Sequence, residues 1–129
     1  MRYIQIFGLL ALLHLLAWAA SHFYMEQNKR EVLLVVDTSY SMKAKFGQVR
    51  RWLDDFEQDA RYKKIVVGTD KAFLGALADL ESREVVFRTA FGKLNADNLH
   101  NLYVDSEASH KYLLTDSAFD DADWEVVRF

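Results

Sequence analysis

Five consecutive aliphatic residues, Val32-Leu33-Leu34-Val35-Val36, run directly into Asp37. A strand with one wet face alternates apolar and polar side chains, whereas a run without alternation is covered on both faces. A strand at 31–37 of this kind restricts the soluble part of the chain to a layered α/β architecture, with helices over a mostly parallel sheet. In such sheets ligands bind beyond the carboxyl ends of the strands, so Asp37 stands where a binding residue would.

The rest of the chain supplies the layers. Phe46, Val49, Trp52, Leu53, Phe56 and Ala60 recur at helical spacing and predict an amphipathic helix over 44–62. Its outer face carries Arg50, Arg51, Asp54, Asp55, Glu57 and Asp59, an ordinary solvated surface. Ile65-Val66-Val67 marks a second strand at 64–69. The composition of 71–81 favours a helix and that of 84–88 a strand, although 67–72 also reads as strand-turn-strand. Asn95 suits the N-cap of a short helix over 95–104, with Leu94 and Leu99 placed as a hydrophobic staple. Strands follow at 111–115 and 124–129. A parallel crossover usually takes roughly a dozen residues or more, so these last two form a hairpin or an unusually tight parallel connection.

Two short stretches carry the functional signal. Asp37-Thr38-Ser39-Tyr40-Ser41-Met42 follows the first strand, and Leu113-Leu114-Thr115-Asp116-Ser117 ends a later one. The first resembles the D-x-S-x-S-M motif of von Willebrand factor A domains, and the second resembles that family's strand ending in Thr-Asp-Gly. The resemblance implies a truncated, Rossmann-like three-layer sandwich and a metal-ion-dependent adhesion site. Its implied ligands are Asp37, Ser39, Ser41 and Asp116, completed by a Thr from an intervening loop. Thr89 is the candidate for that Thr, with Thr69 in Gly68-Thr69-Asp70 as the alternative. In this family the third strand runs antiparallel at the sheet edge.

The motif also makes chemical sense alone. Alternation points Asp37, Ser39 and Ser41 the same way, and a carboxylate with two hydroxyls on one loop suits Mg²⁺ or Mn²⁺, which take oxygen ligands and keep several waters. With few protein charges around it, the cation accepts a partner's carboxylate. The chain departs from the family at Tyr40 and Ser117, where Gly is usual, and a position needing positive φ would penalise either. The domain is also shorter than a typical member.

The first 25 residues are a separate segment. Between Ile4 and Ala20 only Gln5 and His14 are polar. Roughly 20 mostly apolar residues suffice to span a bilayer, and Tyr3, Trp18, Phe23 and Tyr24 fit interfacial belts. We expect an uncleaved transmembrane anchor over 1–25, followed by the von Willebrand-like domain at 26–129. A cleavable signal peptide is the rival, since Ala17-Trp18-Ala19 has the small-x-small form of a cleavage site. The short N-terminal tail favours a single-pass protein of a bacterial inner membrane with its domain in the periplasm.

The net charge is −3 and the basic residues form no stripe, which argues against nucleic-acid binding. There is no cysteine and therefore no disulfide framework. No Walker loop or G-x-S-x-G elbow occurs. A strand ending in Asp-Thr-Ser faintly resembles the D-x-D strand of haloacid-dehalogenase phosphatases, but Ser39 replaces the second Asp, the general acid–base. His100 and His110 lack partners at metal-ligand spacing, and Asp120, Asp121 and Asp123 read as a solvated turn. These features imply a non-enzymatic interaction module that binds a protein partner, in a membrane complex, through a divalent cation. A structural subunit with a degenerate, metal-free site is the alternative.

Overall fold

The computed structural model describes residues 1–88 and 92–129. Helix α1 (Arg2–Gln27) buries none of its residues against the rest of the chain. At 26 residues it is about 39 Å long, enough to cross a hydrocarbon core of roughly 30 Å. By length and composition it can span a membrane, and a signal sequence has the same form.

After α1 come β1 (Arg30–Val36), a 3-10 turn (Tyr40–Lys45), α2 (Phe46–Asp59), β2 (Lys63–Thr69) and β3 (Phe73–Ala76). Two further 3-10 turns (Leu77–Asp79 and Arg83–Phe87), α3 (Ala96–Tyr103), β4 (His110–Thr115) and β5 (Glu125–Arg128) complete the chain. The five strands form one sheet in the order β3-β2-β1-β4-β5. All neighbours are parallel except β2 and β3. The fold is therefore α/β with a mostly parallel sheet, compatible with a Rossmann-like arrangement.

The unalternating run of β1 is explained by its central place. Val32, Leu34 and Val36 join Phe46, Val49 and Leu53 of α2 in one core cluster. Leu33 and Val35 join Leu99 and Tyr103 of α3, with Trp124, in the other. Burying a Val or Leu side chain stabilises by about 1.5–3 kcal/mol, so residues of both parities along β1 contribute.

Two expectations fail. The 71–81 segment is not a helix: Phe73–Ala76 pairs antiparallel with β2, and Gly75 has φ +115°, a value that helical residues do not adopt. The 84–88 segment is not a strand. Ser82 Oγ accepts the Glu84 N–H and starts a 3-10 turn that sinks Val86 into the α2-side core.

The last two strands are parallel, joined by the tight connection. The geometry is permissive because β5 starts opposite Tyr112 and pairs only as far as Thr115. The chain retraces roughly 10 Å at about 3.3 Å per residue, a distance that needs no crossover helix.

Tyr103 fastens α3 to the sheet. It is 2% exposed, its hydroxyl donates to the Thr69 carbonyl at 2.6 Å, and its ring packs edge-on against Trp124. Burial, and then the nearby Asp70 charge, raise its pKa well above the usual 10. A raised folded pKa contributes stability that is complete below pH 10 and lost as pH climbs through the folded value. Urea titrations between pH 8 and pH 11 should show a loss of stability that is markedly smaller in Tyr103→Phe. Equal pH slopes in the two proteins would exclude Tyr103 as the cause.

Candidate functional site

The carboxyl ends of β1, β2 and β4 place Asp37, Asp70 and Asp116 in one neighbourhood. In register, Val36 pairs with Thr69 on one side and Leu114 on the other. Asp37 therefore lies one residue beyond the last paired position, and its N–H still donates to Leu114 O at 2.9 Å.

The Asp37 side chain is fully buried. Its Oδ1 accepts the Ser39 N–H at 2.9 Å, an Asx turn that folds the loop back on itself. Its Oδ2 accepts the Thr115 hydroxyl at 2.6 Å. Thr115 in turn accepts the Ser117 N–H at 3.0 Å. A buried carboxylate is costly unless hydrogen-bonded, and here both oxygens have donors.

From Asp37 outward, a line of oxygens reaches the surface. Ser39 Oγ lies 3.4 Å from Ser41 Oγ, and Ser41 Oγ donates to Asp116 Oδ1 at 3.1 Å. Residues 75 apart in sequence thus meet at the sheet's end. Ser39, Ser41 and Asp116 line an open cleft of about 530 Å³, shared with Tyr40, Gly92, Lys93 and Ser117.

This donor set fits a small hard cation. Ligands at 2.0–2.1 Å in an octahedron lie about 3 Å from their neighbours, close to the spacings along Ser39, Ser41 and Asp116. Asp37 sits behind them and holds the loop rather than lining the cleft. Among the described residues, no three His, Cys, Asp or Glu side chains gather in a metal-holding group. The oxygens that line the cleft belong to one carboxylate, Asp116, and two hydroxyls, Ser39 and Ser41.

Of the remaining expectations, Thr89 lies outside the described residues. The Thr69 hydroxyl is engaged in the β2–β3 turn, where it accepts the Ala72 N–H at 3.0 Å and the Lys71 N–H at 3.2 Å. Neither Tyr40 nor Ser117 has a positive φ, so neither loop demands glycine. A 3-10 turn, with Met42 N–H donating to Ser39 O at 3.0 Å, separates the motif from α2, which begins only at Phe46. Asp121 Oδ1 accepts the Asp123 N–H at 2.9 Å, as a turn residue does.

Compared with known proteins, the chain matches no family model, no curated protein and no solved structure.

Sequence reasoning missed Asp70. Its side chain is wholly buried, and Oδ1 accepts both the N–H and the hydroxyl of Thr38, at 2.9 and 2.6 Å. Thr38 is the residue between Asp37 and Ser39. Its clamp holds the alternate side of the loop, so that Asp37 and Ser39 face the other way. Asp70 Oδ2 has no hydrogen-bond partner among the described residues, although Lys71 Nζ lies 3.0 Å away as an ion pair. Lys71 Nζ also donates to Lys93 O at 3.1 Å, which ties the cleft's far wall to the same carboxylate. The available signal was register: β2 parallel to β1 puts the residue after Thr69 beside the residue after Val36.

Proposed function

We propose that this chain is a membrane-anchored interaction module of the von Willebrand factor A type, which meets a protein partner through a divalent cation. The observation that carries the reading is the run of oxygens from Ser39 through Ser41 to Asp116, across two strands distant in sequence. The sheet order with an antiparallel third strand at its edge supports the family. The drawing of α2 and α3 into clusters that contain alternate residues of β1 supports a three-layer sandwich. In this reading Ser39, Ser41 and Asp116 hold Mg²⁺ or Mn²⁺, with Asp37 and Thr115 bracing them from beneath and a Thr at 89 completing the set. The cation supplies a Lewis-acidic position for a partner's carboxylate. The protein is then not an enzyme; α1 is its single-pass anchor in a bacterial inner membrane, with the domain on the periplasmic side.

A second reading has its own support. Lys93 lines the cleft, Asp37 already has donors on both oxygens, and Ser41 already donates to Asp116. A site closed in this way suits a structural subunit of a membrane complex that keeps the fold without metal.

Magnesium titration followed by thermal melting separates the two. A ligand at 100 times its dissociation constant stabilises the folded state by about 2.7 kcal/mol, a rise of several degrees for a domain of this size. Asp116→Ala should abolish the rise and leave the metal-free melting temperature nearly unchanged, because Asp116 is only partly buried. Asp37→Ala is a poor probe, since it removes the acceptor of the Ser39 N–H and the Thr115 hydroxyl from a buried network. No response to Mg²⁺ or Mn²⁺ in the unmodified chain would eliminate the cation reading.

A further inference from the structure

The pole of the sheet opposite the cleft has its own chemistry. The α2–β2 turn carries Arg61-Tyr62-Lys63, and Lys63 pairs in register with Arg30 at the start of β1. Tyr62 adopts φ 61°, a left-handed conformation unusual for a bulky residue. Its hydroxyl lies 2.6 Å from His22 Nδ1, and the two rings meet edge-on at 5.5 Å. His22 in turn stacks on Trp18. The turn is thus docked beside α1 about 7.5 Å back from Gln27, counting 1.5 Å per residue. That is the level of Trp18, Phe23 and Tyr24, the aromatic residues that mark a bilayer interface.

A cleft of about 360 Å³ opens there, between the last turn of α1 and the 61–63 turn. Arg30, Arg61 and Lys63 bring positive charge to it, and Tyr24 and Met25 give it an apolar wall. All three basic residues are exposed. Among the described residues none is in an ion pair; the nearby Glu26 is paired with Lys29 and Glu57 with Arg83. Unneutralised cations beside an apolar wall, at the foot of a helix long enough to enter a bilayer, match an amphiphile with an anionic head.

We propose that this cleft is a binding site for the headgroup of an anionic phospholipid. Arg30, Arg61 and Lys63 take the phosphate and its neighbouring charge, and Tyr24 and Met25 meet the upper acyl chain. A soluble phosphate would leave that apolar wall unused. The bound lipid sets the domain base-down on the membrane with the Ser39–Asp116 cleft facing away. This inference is independent of whether the far cleft holds a cation.

The test uses the full chain in nanodiscs of equimolar phosphatidylcholine and phosphatidylglycerol. Native mass spectrometry then counts the lipids that stay with the protein. Each basic residue beside an anionic surface favours it roughly fivefold. Phosphatidylglycerol should therefore exceed phosphatidylcholine at least fivefold among retained lipids. Arg61→Glu/Lys63→Glu should bring the ratio to parity, whereas Arg51→Glu/Arg88→Glu, the same charge change elsewhere, should leave it high. Parity in the unmodified chain, an unchanged ratio in the first variant, or an equal loss in the second would overturn the proposal. So would a mature chain from which α1 has been removed.

Discussion

Replacing Gly68 with alanine should cost the domain about 2–4 kcal/mol, combining an overpacking penalty of 1–3 with a hydrogen bond worth about 1. A Cβ at this position would lie 2.0 Å from the Tyr103 hydroxyl oxygen and 2.9 Å from its Cζ. Neither side can yield cheaply. Gly68 lies in β2, which is paired with β1 and β3 on its two edges. Tyr103 is held by Thr69 O and packed between Phe73 and Trp124. The melting temperature should fall by roughly 10–20 °C. Tyr103→Phe removes the 2.0 Å clash and leaves the ring carbon, so Gly68→Ala/Tyr103→Phe should recover only part of the loss. A Gly68→Ala protein that melts with the unmodified chain would mean that α3 does not seat on β2 as described.

The second large effect is expected at Asp70. Asp70→Ala leaves the Thr38 N–H and hydroxyl without their acceptor in a site where Thr38 is 2% exposed. Each buried unsatisfied group costs about 1–3 kcal/mol, which makes a total near 3 kcal/mol reasonable. Asp70→Asn keeps an oxygen for Thr38 and loses the pair with Lys71, whose ammonium still reaches solvent and the Lys93 carbonyl. Denaturant melts should therefore rank the unmodified chain, Asn and Ala in that order, with the larger step between Asn and Ala. Equal damage from both would show that charge, not the Thr38 clamp, is what the site needs. The same ranking should appear in any response to Mg²⁺, because Thr38 sets which way Asp37 and Ser39 face.

What could be read in the sequence was what depends on local pattern. The β1 run, the amphipathic spacing of α2, the Asn95 cap of α3 and the two motif loops all encode their environment in a few neighbouring residues. Asn95 Oδ1 does accept from the N–H groups of Asp97 and Asn98. The meeting of Ser41 with Asp116 followed from strand polarity, since parallel strands deliver their ends to one side. What could not be read depends on distant pairing. Lys71-Ala72-Phe73-Leu74-Gly75-Ala76 has helical composition, yet β2 offers an open edge, and its hydrogen bonds outweigh a weak propensity. Val85-Val86-Phe87 has strand composition without a neighbouring strand to pair with, and burial of Val86 sets its turn instead. Asp70 looked like an ordinary turn residue because nothing near it in sequence reports that Thr38 covers it.

The position of β1 has a consequence for how the chain is made. It is the first of this sheet's five strands in chain order and the middle one in space. Once β2 is in place, one edge of Val32–Val36 still waits for β4, whose pairing residues begin at His110. Until then a five-residue aliphatic strand offers unpaired N–H and C=O groups, the kind of edge that recruits other chains. Contacts of such long sequence separation form slowly. A chain cut anywhere before β4 therefore keeps its most apolar strand half-paired, and premature termination should yield aggregates rather than a smaller working domain.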